Sequence, residues 1–97
     1  MARVVYAAKA LSNLERAFAT LAELADAEVA TTAFARIRSA VEMLEYHPLI
    51  GRIVTADLRE LVISFGKTGY IALYRHVAKR DEVRVLALRH QRELDYP

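Results

Sequence analysis

Cysteine is absent from the 97 residues, and with it go disulfide bonds, thiolate nucleophiles and cysteine-based zinc sites. That absence suits a reducing compartment, and the expectation is a cytoplasmic protein. No stretch approaches the roughly eighteen consecutive apolar residues that a membrane span requires, so no membrane association is expected. The leading MARVVYAAKALSNLERAF has too short an apolar stretch, and meets charge too early, to read as a secretory signal. Glycine and proline are scarce, at three and two residues, and no linker, internal repeat or low-complexity tract interrupts the chain. Metal-ligand spacing, a nucleophile triad and a glycine-rich phosphate loop are all missing. The GKTG at 66–69 lacks the longer glycine-spaced run that precedes the P-loop lysine. No cofactor and no metal are expected.

Excess charge is also in short supply. The formal net charge is +2, unevenly placed: residues 1–50 hold five Lys/Arg against six Asp/Glu, and residues 51–97 hold nine against six, with His76 and His90 besides. This falls far short of the basic stripe of a protein that binds DNA by phosphate neutralisation alone. Apolar material is plentiful, at 55% of residues. The length predicts one domain spanning 1–97. A chain this short lies near the lower limit of independent stability, so a partner that covers apolar surface would help it.

The opening ARVVY is β-branched and aromatic and predicts a strand. Apolar residues then recur in steps of three and four at Leu11, Leu14, Phe18, Leu21 and Ala25, the stripe of an amphipathic helix. Asp26, Ala27 and Glu28 mark a short break before a second stripe at Ala30, Phe34, Ile37, Val41 and Leu44. Two helices joined so tightly fold back as an antiparallel hairpin. Pro48 and Gly51 end the second helix. The period then changes to that of strands at Leu58–Phe65, Tyr70–Val77 and Glu82–Leu88. Lys67-Thr68-Gly69 and Lys79-Arg80-Asp81 separate these runs, and spacers so short demand antiparallel pairing. The expected order is β-α-α-β-β-β, an α+β fold with a helical hairpin packed on one face of a small antiparallel sheet.

Strand alternation sorts the polar residues. Arg59 shares a face with Leu61 and Ile63, and Glu60 lies opposite. Arg75 goes with Ile71 and Leu73. Arg84, Leu86, Leu88, His90 and, in a longer strand, Arg92 share another. Arg59, Arg75, His90 and Arg92 are expected near one end of the sheet, with Tyr96 arriving from the tail. Arginine forks grip phosphate or carboxylate, and histidine titrates near neutrality. RNA cleavage needs a base, an acid and cations on the phosphorane, and His90, Tyr96 and Arg59 or Arg75 are residues of the right types. Each also has an ordinary structural reading. Arg59 would be an ion-pair partner of Glu60, Arg75 a charge guarding a sheet edge, and His90 a hydrogen-bonded strand end. His47 and His76 have no evident partner and read as structural or solvated.

The series HPLIGR, LRELVISF, GYIALYRHV and VRVLALRHQRELDY, in that order, resembles the RelE/ParE superfamily of toxins from type II toxin–antitoxin systems over nearly the whole chain. The resemblance implies a cognate antitoxin that wraps the helical hairpin and sheet edge, and assembly into a toxin–antitoxin hetero-oligomer. Glu23, Asp26, Glu28, Glu42 and Glu45 make the hairpin's solvent side acidic, suited to a basic antitoxin segment or simply to water. RelE-like members cut mRNA on the ribosome; ParE-like members poison DNA gyrase by protein contact. The RelE pattern has cations in the strand leading to Gly-Tyr and directly after that tyrosine. Val62, Ser64 and Ile71 stand there instead, and each missing contact forfeits on the order of several kcal/mol of phosphorane stabilisation. The resemblance therefore favours the ParE branch, with Arg59, Arg75, His90 and Arg92 as target-binding residues. The alternative is a ribosome-dependent endoribonuclease acting on mRNA, with His90 and Tyr96 as its acid–base pair and Arg59 and Arg75 holding phosphate.

Overall fold

The computed structural model describes residues 1–97. Strand β1 (Arg3–Tyr6) leads into helices α1 (Ala8–Leu24) and α2 (Ala27–Glu42), and a short 3-10 turn at Met43–Glu45 closes the hairpin. Strands β2 (Arg52–Thr55), β3 (Leu58–Phe65), β4 (Thr68–Val77) and β5 (Glu82–His90) follow. The break expected at Asp26, Ala27 and Glu28 falls instead at Ala25 and Asp26. The Asp26 carboxylate accepts from the Val29 N–H at 2.8 Å as an N-cap, and Ala27 and Glu28 are already helical. Glu28 in the first turn adds a favourable charge to the helix dipole.

The sheet runs β1-β5-β4-β3-β2. Its three hairpins are antiparallel, as their short connections require. The sheet as a whole is mixed, which corrects the antiparallel expectation. β1 lies parallel to β5, from Arg3 opposite Glu82 to Tyr6 opposite Val85. The helical hairpin and the meander after it supply the long crossover that a parallel pair needs. A further correction is β2 itself, where Arg-Ile-Val-Thr extends along the outer edge. The β3–β4 connection is also shorter than expected. Gly66 takes the left-handed conformation (φ 60°) ahead of Lys67, and Thr68 and Gly69 already belong to β4.

Both helices pack on one face of the sheet. Ala10, Leu14, Ile37, Val41 and Leu44 meet Ile63, Tyr70, Ala72, Tyr74, Val83, Val85 and Leu88 in a continuous core. The helical stripes are not buried evenly. Leu11, Phe18 and Phe34 stay 47%, 39% and 42% exposed, because small residues (Ala10, Ala30, Ala33) take the positions closest to the sheet and core. A groove of about 810 Å³ results, lined by Leu11, Phe18, Phe34 and Ile37 together with Tyr6 of the edge strand. No helix is long and apolar enough to cross a membrane.

One irregularity decides which side chains share a face. The β4–β5 register shifts between Leu73 and Tyr74, which are opposite Ala87 and Val85, so Leu86 is the extra residue of a bulge. On its near side Arg84 points away from the helices. Beyond it, Leu88 and His90 lie on the helix side and Arg89 takes the open one. The expected single face for Arg84, Leu86, Leu88 and His90 is thus split, and β5 ends at His90 without reaching Arg92.

Candidate functional site

The helix-free face of the sheet carries five arginines from four strands. Arg3 comes from β1, Arg52 from β2, Arg75 from β4, and Arg84 and Arg89 from β5. Carboxylates organise them into two groups. Glu82, only 1% exposed, accepts from Arg3 Nη2 at 2.7 Å and from Arg84 Nη2 at 3.0 Å. These hydrogen bonds, Arg3 first, hold its carboxyl below the ordinary carboxylate value. Arg75 stands directly opposite Arg84 in the register. Its Nε lies 2.8 Å from Asp57 Oδ2, but the N–H is not aimed at that oxygen and makes no hydrogen bond.

The second group centres on Glu60. Arg52 donates to Oε1 through Nε and Nη2 at 3.1 and 2.8 Å, and the Tyr96 hydroxyl donates to Oε2 at 2.6 Å. Arg89 approaches the same Oε2 to 4.0 Å and lies 5.3 Å from the centre of the Tyr96 ring. Burial pushes the Glu60 carboxyl up, yet the Tyr96 and Arg52 hydrogen bonds and the Arg52 and Arg89 charges outweigh it, so Glu60 titrates below its usual range. Burial and then the bond to Glu60 drive the Tyr96 hydroxyl the other way, well above its usual value. Arg89 also ties down the tail, donating through Nη1 to the Glu93 carbonyl at 2.5 Å.

The five residues nominated from sequence do not come together. Arg59 points to the helix side, opposite Tyr74, and donates to the carbonyls of Leu49 at 3.0 Å and Gly51 at 2.9 Å. It is therefore not the partner of Glu60. Arg75 is on the open face. His90 is on the helix side at the far end of β5, edge-on to the Tyr70 ring at 5.4 Å. Its Nδ1 accepts from the Arg92 N–H at 3.1 Å, which places the ring proton on Nε2 beside the Thr68 hydroxyl. Both ring nitrogens are thus engaged within the chain. Arg92 is exposed and contributes only that backbone N–H. Tyr96 reaches the open face, away from His90. His76, without a partner in the sequence reading, faces Asp81 at 3.3 Å.

Sequence reasoning missed Arg3, Arg52 and Arg89 and the organising roles of Glu60 and Glu82. Strand alternation around Arg84 and Glu60 was the available signal. Arg3 was beyond reach because its neighbour is set by a parallel pairing between the chain's two ends. No cluster of metal-binding side chains is present.

A family model described as the ParE toxin of the type II toxin–antitoxin system parDE matches residues 4–95. Among solved structures, the chromosomal ParDE toxin–antitoxin system from P. aeruginosa superposes with a TM-score of 0.74 at 20% identity, covering 93% of this chain and 96% of that one. The intact E. coli RelBE toxin–antitoxin complex superposes with a TM-score of 0.62 at 13% identity, covering 91% and 94%. No curated protein sequence matches.

Proposed function

Because this chain belongs to the ParE toxin family of type II toxin–antitoxin systems, we propose that it arrests growth by binding DNA gyrase and inhibiting it through protein–protein contact. Its partner within the system is a cognate antitoxin. The observation that carries the mechanism is the fate of the two acid–base candidates. His90 has both ring nitrogens engaged, and the Tyr96 hydroxyl already donates to Glu60 with its acidity suppressed. General acid–base cleavage of RNA requires such groups within reach of one substrate, and these two lie on different faces of the sheet. Arginine is not what is lacking, since the open face holds more of it than the sequence reading counted. What is lacking there is a proton acceptor that works near neutrality.

The antitoxin belongs, in this reading, to the groove of Leu11, Phe18, Phe34 and Ile37, which runs from the helical hairpin to the edge strand through Tyr6. An apolar groove between two helices takes the hydrophobic face of an amphipathic segment. Toxin and antitoxin then assemble as a hetero-oligomer. Of the nominated target-binding residues, Arg75 and Arg92 keep that role, because Arg59 and His90 are engaged within the fold. Inducing the chain without its antitoxin tests the reading: DNA synthesis should fall before protein synthesis. Translation stopping first would favour the ribosome and mRNA as target.

A further inference from the structure

We propose that the row formed by Arg84 and Arg75, with Arg3 beside it, is a docking surface for an acidic, aliphatic-rich segment of a partner protein. This rests on the reading that the toxin acts by gripping a protein. Arg84 and Arg75 are register partners on neighbouring strands with side chains on the same open face. Like charges directly opposite one another weaken a sheet, and here both side chains remain 42% exposed, with Arg3 75% exposed. Glu82 steadies Arg3 and Arg84 from a buried position, and Asp57 stands beside Arg75. Nη1 of Arg3 and of Arg84 takes part in none of these bonds, and Arg75 makes no directed hydrogen bond at all. Two forks are thus held by Glu82 and a third stands opposite Arg84 on the neighbouring strand, all with donors to spare, the arrangement that receives carboxylates in pairs of hydrogen bonds.

The surroundings distinguish a protein segment from a nucleic acid. Val5 closes the row on β1 and Leu58 closes it on β3, while Leu73 lies one step along β4. These apolar shoulders fit aliphatic side chains alternating with carboxylates. A phosphate backbone asks for cations continuing along its track, whereas this row stops at Val5 on one side and Leu58 on the other.

The test uses a fluorescein-labelled peptide of alternating Glu and Leu, and a labelled single-stranded oligonucleotide of equal length and charge, each titrated into the purified protein at low salt. The expected result is peptide binding that weakens about tenfold or more in the Arg75→Ala/Arg84→Ala variant while its thermal transition is kept. Arg75→Lys/Arg84→Lys, which keeps the charges and loses the forks, should weaken binding by an intermediate factor, and it serves where the alanine pair fails to fold. Equal peptide affinity in wild type and variants overturns the proposal. So does tighter binding of the oligonucleotide that the same substitutions abolish. Gyrase is a separate arm: a wild-type protein without effect on supercoiling defeats the functional reading alone. Wild-type inhibition undiminished in the alanine pair leaves that reading standing and defeats this surface.

Discussion

Arg59, Gly51 and Tyr74 show how motif residues serve the architecture. The Gly51 N–H donates to the Tyr74 hydroxyl at 2.8 Å in a buried contact, and Arg59 binds the Gly51 carbonyl from the other side. A Cβ at Gly51 would sit 2.6 Å from both Tyr74 Cε1 and Oη and 2.9 Å from the Glu60 carbonyl oxygen. Gly51→Ala should therefore cost about 1–3 kcal/mol through overpacking, seen as a lower urea midpoint at unchanged slope. An unchanged midpoint would mean that the loop yields freely. Tyr96 is a different case, since its hydroxyl supports a carboxylate that Arg52 also holds. Tyr96→Phe should destabilise by about 1.5–3 kcal/mol, the range of a hydrogen bond to a charged group. It should leave toxicity intact when expression is matched, and so should His90→Ala. Loss of toxicity in both variants at preserved fold would instead support message cleavage.

At the scale of elements, Glu82 ties the two ends of the chain together, since it binds Arg3 of β1 and Arg84 of β5 across a parallel pair. Its carboxyl is lowered by those hydrogen bonds, so the charged form is favoured by folding. That contribution is present above the unfolded carboxylate value of about 4.3 and is lost as pH falls through the lower folded value. Thermal stability should accordingly drop on acidification below about pH 4.3, and Glu82→Gln should flatten that slope while lowering stability at neutral pH. Identical slopes would assign the acid sensitivity elsewhere, with Glu60 the next carboxylate to examine. The elements themselves were largely legible. β3 runs from Leu58 to Phe65 as its alternation predicts, and the helical periods placed the hairpin. The β5 bulge was not legible, because Val-Leu-Ala-Leu reads as one unbroken strand and nothing local marks Leu86 as extra. That one residue moved His90 to the helix side and Arg89 to the open face, and the candidate site changed with it. The partnership of Arg3 with Glu82 was hidden for a different reason: it spans 79 positions and follows from topology.

At the scale of the whole molecule, the two faces differ in chemistry. One side of the layer holds the hairpin and its apolar groove, and the other holds the arginines. Phe34 is 42% exposed in that groove, so Phe34→Asp gives up a partly buried ring and should cost about 1–2 kcal/mol while the chain stays folded. The same change should weaken antitoxin binding about tenfold or more, measured by calorimetry with the purified pair; unaltered affinity would move the antitoxin to another surface. The central claim is that this toxin grips a protein and cuts no nucleic acid. The most direct test adds the purified chain to DNA gyrase and relaxed plasmid, with translating ribosomes and labelled message in a parallel reaction. The account predicts that supercoiling stops while the message stays whole. Site-specific breaks in the message, with supercoiling unimpaired, would contradict it.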